Sequence, residues 1–463
     1  MTNASRPVAA RRFFVETLGC PKNVVDSEKI VGTLLVDGLV PADGPGDADL
    51  VVVNTCAFIE AAREESIETI LSLASARKDG AALVATGCLA ERSGAELAAA
   101  LPELDAVVGF AGESSIAESV GMRAPETVPV RFRTAPTGVR DLLELPRAAP
   151  DAPWAYVKIA EGCDRACAFC AIPSFRGKQR SRRPEAIEAE VRGLVEQGVA
   201  EIVLVAQDLA WYGRDTAEPD SLVPLLRRLD RLAPHGLSRV RLLYLYPSEV
   251  HDPLVSTMLE LPTVVPYFDL SLQHASGPLL RAMKRWGDGD RFLDIIGRIR
   301  ADEPAAAFRS SFIVGFPGET ERDHDQLLGF LAAAGLDWAG FFAFSREEGT
   351  AAESLPGAPE PMLVTERLRE LAEVQEPLTT ASRAALVDET IEVLVDGFED
   401  GEAIGRTYRE APEIDGVVRL GTDGWARPGA IVRAVVTGWE GPDLEAAPVG
   451  AVGTVATAGV GTR

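Results

Sequence analysis

The chain has 463 residues, a length typical of about three domains. Of these residues 46% are hydrophobic and 25% are charged, as in ordinary soluble globular proteins. Its formal net charge of −24 argues against a general nucleic-acid binder, because binding phosphate groups requires a positive surface. The start of the chain lacks the apolar segment of a secretory signal, and no apolar run is long enough to span a membrane. We therefore expect a cytoplasmic protein.

The first region, residues 11–145, alternates strand-like and helix-like segments, which is typical of a parallel α/β sheet. Three apolar runs, "RRFFVETLGC", "DLVVVNTC" and "AALVATGC", each end on a cysteine: Cys20, Cys56 and Cys88. Because the carboxyl ends of parallel strands lie along one edge of a sheet, we expect these thiols to share that edge. The alternative is that they are small buried hydrophobic residues without a common site.

The second region, residues 151–380, follows a linker rich in proline and alanine and contains six strand candidates separated by helical segments. Six units are fewer than the eight that fill the roughly 250 residues of a complete α/β barrel. The sequence therefore predicts an open (β/α)6 barrel, a partial TIM barrel.

The third region, residues 384–446, consists of short Val-rich segments separated by Gly, Asp and Pro, which predicts a small antiparallel β barrel. From residue 384 onward there are fourteen acidic residues against six arginines and no lysine, so this barrel is acidic. Residues 447–463 are of low complexity, and we expect them to be disordered.

The stretch "EGCDRACAFC" places Cys163, Cys167 and Cys170 directly after the first strand of the predicted barrel, at the end where such barrels build their active sites. A four-cysteine zinc site would need a second pair nearby, and all four histidines lie far along the chain. Three thiolates suit a four-iron cluster with one iron left open for a ligand. Plain core cysteines, a zinc site completed by a distant histidine and an electron-carrying cluster remain alternatives.

This motif at the mouth of a partial barrel resembles the radical S-adenosylmethionine (SAM) superfamily. The strings "TLGCPKNVVDSE", "VNTCAFIEAAREES" and "ATGCLAER" resemble the N-terminal domain of the methylthiotransferases in that superfamily. The C-terminal barrel resembles the TRAM domain of the same family. The resemblance covers nearly all of residues 11–445.

The resemblance implies two 4Fe–4S clusters, each with an open iron. Cys163, Cys167 and Cys170 would hold the cluster at which SAM is cleaved to a radical, and Cys20, Cys56 and Cys88 a second cluster that carries the sulfur. SAM would also donate the methyl group, and a low-potential donor such as flavodoxin or ferredoxin would supply electrons. The open irons must then face each other, which predicts that the N-terminal sheet edge packs over the barrel mouth.

Several other residues are candidates for binding SAM. Phe169 precedes the third cysteine, and "FIVGFPGET" resembles the strand that lies against the adenine, which implies contacts from Ile313, Gly315, Pro317 and Gly318. Gln207, at a strand end, is a candidate hydrogen-bond partner of SAM. His274, at another strand end, is a candidate to face the same pocket, and for both Gln207 and His274 a structural role is the alternative. Arg176 and Arg182 are candidates to neutralise a carboxylate of SAM or of the substrate, with a surface role as the alternative.

The family divides by substrate into enzymes that modify an adenosine of transfer RNA and enzymes that modify an aspartate of small-subunit ribosomal protein twelve. The strings "GCPKN", "VAQDLAWYG" and "APEIDG" resemble the second branch. An acidic C-terminal barrel also suits a basic protein partner better than RNA. We therefore predict methylthiolation of the aspartate β-carbon in that ribosomal protein, without direct RNA binding by the TRAM barrel. The alternative is a transfer-RNA adenosine methylthiotransferase with the same chemistry.

Overall fold

The computed structural model describes residues 11–122, 142–216, 222–421 and 426–449. Most of the tail for which we expect disorder, from residue 450 onward, lies outside these ranges. The described part of the chain contains no helix that is both long and apolar enough to cross a membrane.

The N-terminal region is a five-stranded parallel sheet, as predicted. Its strands are β1 (Arg12–Thr17), β2 (Val40–Pro41), β3 (Leu50–Thr55), β4 (Ala82–Gly87) and β5 (Ala106–Val107), in the order β2-β1-β3-β4-β5. Its helices are α1 (Pro21–Val36), α2 (Glu60–Ala76), α3 (Cys88–Ala100) and α4 (Ile116–Ser119). The central strands β3 and β4 are buried along their whole length, which explains why their sequences are continuous apolar runs.

The central region is the predicted open barrel. Its six parallel strands are β6 (Trp154–Lys158), β9 (Glu201–Val205), β10 (Arg239–Leu242), β11 (Tyr267–Gln273), β12 (Ala307–Val314) and β13 (Trp338–Ala343), and a short hairpin of β7 (Ala160–Glu161) and β8 (Arg180–Ser181) flanks the cysteine loop. Two three-stranded arcs, β6-β9-β10 and β11-β12-β13, are joined by isolated bridges. Among the described residues β13 is not hydrogen-bonded to β6, so the barrel is open.

Helices cover the outside of this barrel and enclose the largest hydrophobic core of the protein. They are α6 (Pro184–Glu196), α7 (Leu222–Asp230), α8 (Asp252–Glu260), α9 (Gly277–Ala282), α10 (Gly289–Asp302), α11 (Glu321–Ala334) and α12 (Pro361–Ala384). The short helix α5 (Ile172–Arg176) instead follows the cysteine loop and packs against α3 of the N-terminal region. The sequence sets both ends of α11: Thr320 and Asp323 form a capping box, and Gly335 ends the helix in the left-handed conformation.

The C-terminal region is a closed five-stranded barrel. Its strands are β14 (Thr390–Glu399), β15 (Glu402–Arg406), β16 (Val418–Arg419), β17 (Ile431–Glu440) and β18 (Asp443–Pro448). Neighbouring strands are antiparallel, as predicted, except for the short parallel pairing of β16 with β18. Burial alternates along much of β17, because one face of the strand lines the small core.

The loop after β15 closes the amino end of the central barrel. Arg241 donates to the carbonyl of Tyr408 at 2.7 Å, and Tyr156 donates to the carbonyl of Pro412 at 3.1 Å. Tyr267 likewise donates to Asp415 at 2.6 Å. The C-terminal barrel is therefore docked at the amino ends of the strands, whereas Cys163, Cys167 and Cys170 follow their carboxyl ends.

Candidate active site

The three N-terminal cysteines lie together at the carboxyl edge of the first sheet. Cys20, Cys56 and Cys88 follow β1, β3 and β4, which are hydrogen-bonded neighbours. The pKa of the Cys88 thiol is raised to about 12, chiefly by burial; the charge of Arg176 opposes this shift, and the nearby thiols of Cys20 and Cys56 add to it. The structure thus brings together three residues that are separated by more than thirty positions in the sequence.

Two glycines shape the turns that carry these thiols. Gly19 has a φ of +98°, and a Cβ added there would lie 2.9 Å from both Cβ and Sγ of Cys56. Gly87 has a φ of +87°, and an added Cβ would lie 2.2 Å from Oδ1 of Asn54. Only glycine combines a left-handed backbone with such a close approach.

Asn23 connects the same turns from the first part of α1. Its side-chain amide donates to the carbonyls of Leu18 at 2.8 Å and Thr55 at 3.2 Å. Its Oδ1 lies 3.7 Å from the sulfur of Cys88. The "GCPKN" string therefore supplies both a thiol and the residue that fixes the neighbouring turns.

The central cysteines lie in one loop that follows β7. Cys163 N donates to Gly177 O at 3.1 Å, and Arg165 N donates to Cys163 Sγ at 3.4 Å. Arg285 donates to Cys167 Sγ at 3.4 Å. Burial raises the pKa of Cys163 to about 11 and that of Cys170 to about 12.

A buried ionic network joins the two cysteine sites. Arg176 donates to Cys88 Sγ at 3.0 Å, to Asp26 at 3.2 Å and to Glu161 at 2.9 Å. Lys158 bridges the same two carboxylates, bonding Asp26 and, at 2.8 Å, Glu161. Because Asp26 belongs to α1 and Glu161 to the barrel, the N-terminal sheet edge packs over the barrel mouth.

A second set of ion pairs holds the same two regions together at the other side of the mouth. Arg63 of α2 and Arg92 of α3 both bind Glu347, which follows β13, and the Arg92 contact measures 2.7 Å. The Glu347 side chain is 1% exposed, whereas those of Arg92 and Arg63 are 13% and 24% exposed, so the carboxylate is buried and the arginines reach it from the rim of the contact. The two contact sites fix the orientation of the N-terminal sheet relative to the barrel.

Comparison with known proteins identifies three matching families. Residues 12–109 match the uncharacterized protein family UPF0004, residues 157–331 the radical SAM superfamily and residues 387–449 the TRAM domain. A relative named ribosomal protein uS12 methylthiotransferase RimO, from Nocardioides sp. strain JS614, is 42% identical over 97% of this chain and 100% of its own length. A relative of the same name from Streptomyces griseus is 41% identical, covering 94% of this chain and 97% of its own length.

The chain belongs to the RimO family. It is therefore a radical SAM methylthiotransferase, as the sequence motifs predicted. Among solved structures, the radical SAM methyltransferase TsrM from Kitasatospora setae aligns with a TM-score of 0.52 at 15% identity, covering 74% of this chain and 75% of its own. That likeness confirms the fold. Membership of the radical SAM superfamily implies SAM and a 4Fe–4S cluster as cofactors.

The donor sets of this RimO-family chain fit iron–sulfur clusters. Within the described residues no three Cys, His, Asp or Glu side chains are arranged around a single metal ion. Each cysteine of a 4Fe–4S cluster binds a different iron, so a triad of cysteines supplies ligands for three of the four irons. Buried thiols with raised pKa values become thiolates when a metal binds them.

The barrel mouth also fits a polar ligand such as SAM. Four side chains there keep a buried polar atom that has no partner among the described residues, namely Oε1 of Gln207, Oδ1 of Asp208, Nε2 of His274 and Nε of Arg285. Buried polar atoms normally have partners. The other amide end of Gln207 donates to Glu161 at 3.0 Å, which holds its free oxygen in place.

The other predicted SAM-binding residues lie at or near the carboxyl ends of the strands. Phe169 and Ile313 are half-buried and pack on the barrel core. Gly315 is left-handed, with a φ of +84°, and an added Cβ would lie 2.7 Å from the Val364 side chain. Pro317 is buried, whereas Gly318 is exposed and donates its N–H to Gly357 O at 2.8 Å.

The two arginines whose roles were left open have different surroundings. Arg176 is the buried link between the two cysteine sites. Arg182 donates to Lys158 O at 2.9 Å and to Glu190 at 2.6 Å. The side chains of both arginines are buried, so the surface role that the sequence left open is wrong for both. Sequence reasoning missed Asp26, Lys158 and Glu161. A lysine inside the apolar string "AYVKIAEGC" was the available signal, because a buried ammonium needs carboxylate partners.

Proposed function

We propose that this chain attaches a methylthio group to the β-carbon of an aspartate in small-subunit ribosomal protein uS12, using SAM and two 4Fe–4S clusters. The observation that carries the proposal is the pairing of two cysteine triads across the barrel mouth, linked through Arg176. The activity named for its relatives from Nocardioides and Streptomyces supports the choice of substrate.

In this proposal Cys163, Cys167 and Cys170 hold the cluster that works with SAM, and Cys20, Cys56 and Cys88 hold the cluster that carries the sulfur. When bound, the two clusters and SAM supply a carbon-centred radical, a sulfur atom and a methyl group. Each triad leaves one iron without a protein ligand, so each offers one open position for a substrate or cofactor.

The chain's own residues position these groups and exclude water. Arg176 and Lys158 neutralise Asp26 and Glu161 at the contact between the regions, and all four side chains are at most 5% exposed. Such a dry contact protects a reactive intermediate from side reactions. The N–H···S bond from Arg176 to Cys88 also orients a proposed metal ligand, as residues around metal sites commonly do.

We assign SAM binding to the residues around the central triad. Gln207 presents a free, buried amide oxygen, which suits the amino group of the SAM methionine. Phe169 and Ile313 supply apolar surface, while the left-handed backbones at Gly315 and Gly318 let the chain turn closely past Pro317. In this proposal a low-potential donor such as flavodoxin or ferredoxin supplies the electrons.

The acidic C-terminal barrel supports a basic protein partner. Exposed carboxylates on it include those of Asp388, Glu389, Glu392, Glu399, Asp400, Glu440 and Glu445. They would attract a basic ribosomal protein by long-range electrostatics. Because this barrel is docked at the amino ends of the strands, we infer that it contacts a part of uS12 away from the modified residue.

Mass spectrometry of purified uS12 after reaction tests the proposal. The reconstituted chain is supplied anaerobically with uS12, SAM and a strong reductant, and a parallel reaction contains transfer RNA instead. We expect a methylthio mass on one aspartate peptide and no change in the adenosines. A methylthiolated adenosine with unmodified uS12 would show that the transfer-RNA alternative is correct.

A further inference from the structure

Lys22 is a buried lysine whose ammonium has no carboxylate partner. The residue is 8% exposed, and its Nζ lies 3.7 Å from the centroid of the Tyr244 ring. In the part of the chain that the structure describes, no acidic side chain lies within 4.0 Å of this ammonium. A cation over an aromatic face is stabilised, but a buried charge normally also has a counter-charge.

Three buried cations of α1 and of its contact with the barrel have such a counter-charge, whereas Arg285 near Cys167 has none among the described residues. Lys158 has Asp26 and Glu161, and Arg176 shares the same pair. Lys29, two turns further along α1, lies 3.5 Å from Glu190. Lys22 differs from these three cations in having no carboxylate within 4.0 Å among the described residues. Its charge instead acts on Cys20: burial raises the pKa of that thiol, but the charges of Lys22 and Arg176 lower it below its ordinary value.

Tyr244 fixes the position of this ammonium at the barrel mouth. It follows β10 and has a φ of +63°, which is rare for a residue with a side chain. Its backbone N–H donates to Asp269 at 2.9 Å, which holds the strained conformation. Burial raises the pKa of the Tyr244 hydroxyl, and the nearby Cys20 thiol raises it further. The ring thus lies next to the N-terminal cysteine site.

We propose that Lys22 is a specificity-determining residue that binds the side-chain carboxylate of the target aspartate. The inference rests on the proposed function, because only that function brings an aspartate to this position. The carboxylate is attached to the carbon that reacts, so an ion pair to it holds that carbon between the two cysteine triads. The same ion pair distinguishes aspartate from asparagine, since the neutral amide leaves the buried ammonium uncompensated.

Binding of two peptides to the holoenzyme tests this inference. One peptide carries the target segment of uS12, and the other has asparagine in place of the target aspartate. Dissociation constants are measured by fluorescence anisotropy with the reconstituted full chain and SAM. We expect the unaltered chain to prefer the aspartate peptide by about tenfold or more, the usual range for a hydrogen bond to a charged group.

The Lys22→Met chain is expected to bind both peptides equally, whereas Lys22→Arg keeps the preference. Lys29→Met is the matched control, because it removes a buried lysine of the same helix that already has a carboxylate. We expect the Lys29→Met chain to prefer the aspartate peptide over the asparagine peptide as strongly as the unaltered chain does. Lys22→Gln is a second neutral variant and decides the question if Lys22→Met does not fold.

Three results would overturn the inference. A Lys22→Met chain that still prefers aspartate overturns it alone. A Lys22→Met chain that loses iron from the N-terminal site shows that Lys22 balances the charge of the cluster instead. An unaltered chain that binds neither peptide overturns the proposed function together with the inference.

Discussion

The two cysteine sites are built in opposite ways. The N-terminal triad comes from three βα units and exists only when β1, β3 and β4 pair in register. The central triad comes from eight consecutive residues, 163–170, after one barrel strand. A site made by the tertiary fold depends on the whole sheet, whereas a site made by one loop depends on local sequence.

The surroundings of the two sites differ in the same sense. Cys88 accepts a hydrogen bond from Arg176, which belongs to the other region of the protein. Cys163 accepts one from the backbone of Arg165, two residues further along its own loop, and Cys167 accepts one from Arg285, which belongs to the same barrel. The N-terminal site is thus complete only when the two regions are docked.

Removing one triad at a time gives the largest expected effect and tests whether the sites have separate tasks. With Cys163, Cys167 and Cys170 changed to alanine, we expect no SAM cleavage and about half of the iron. With Cys20, Cys56 and Cys88 changed, SAM is still cleaved but no methylthio product forms. Chromatography of 5′-deoxyadenosine and iron analysis provide the measurements. Equal loss of SAM cleavage in both variants would contradict the division of tasks.

Arg176→Gln tests the dependence of the N-terminal site on docking. It leaves Asp26 and Glu161 with one cation fewer, and breaking a buried pair of this kind costs about 3–5 kcal/mol. We expect a lower unfolding midpoint in denaturant and loss of iron from the N-terminal site, with less effect on the central one. Arg182→Gln is the control, because it removes a buried arginine that contacts no thiol. If both variants lose the same amount of iron from the N-terminal site, general destabilisation of the protein is the cause of that loss, not the missing contact with Cys88.

Sequence reasoning named the three cysteines of each site but not the arginines that donate to their sulfurs, apart from Arg176, which it left as a candidate. C-x3-C-x2-C is a local pattern, so its residues are recognisable without a fold. The N-terminal triad was predicted because parallel strands align their ends, a rule that requires only the strands themselves. The network of Asp26, Lys158, Glu161 and Arg176 was not predicted, since no sequence spacing indicates which charges meet across two regions. Docking of the C-terminal barrel at the amino ends was missed for the same reason.

Two buried groups, Glu113 and His274, are expected to change the stability with opposite signs as the pH changes. Burial, followed by Asp26, raises the pKa of Glu113 beside the N-terminal sheet from 4.5 to about 8. The folded state then keeps a proton that the unfolded state releases, so stability falls as the pH rises towards 8. Burial lowers the pKa of His274 in the barrel from 6.5 to about 4. Stability from that group is complete above pH 6.5 and is lost as the pH falls.

Glu113→Gln and His274→Gln separate these two effects. Each group is expected to change the free energy of unfolding by about 2 kcal/mol, Glu113 between about pH 6 and 8 and His274 between about pH 7 and 5. Denaturant titrations across this range should show that Glu113→Gln loses less stability than the unaltered chain as the pH rises. They should also show that His274→Gln loses less stability as the pH falls. If Glu113→Gln loses as much stability at alkaline pH as the unaltered chain, a group other than Glu113 causes that loss.

Gly19→Ala gives the smallest expected change in stability, and it tests how narrowly the N-terminal turns are constrained. A left-handed residue with a side chain costs about 1–2 kcal/mol, and Gly80→Ala carries the same backbone cost because its φ is +78°. The two positions differ in space, since nothing lies within 4 Å of a Cβ at Gly80, whereas a Cβ at Gly19 meets Cys56 at 2.9 Å. Similar stabilities with iron lost only in Gly19→Ala would show that the turn is needed to place a thiol. Full iron content in both variants would mean that the turn at Gly19 can shift while the N-terminal cysteines still bind iron. The N-terminal site would then depend less on the exact fold than the geometry indicates, and the two cysteine sites would differ less.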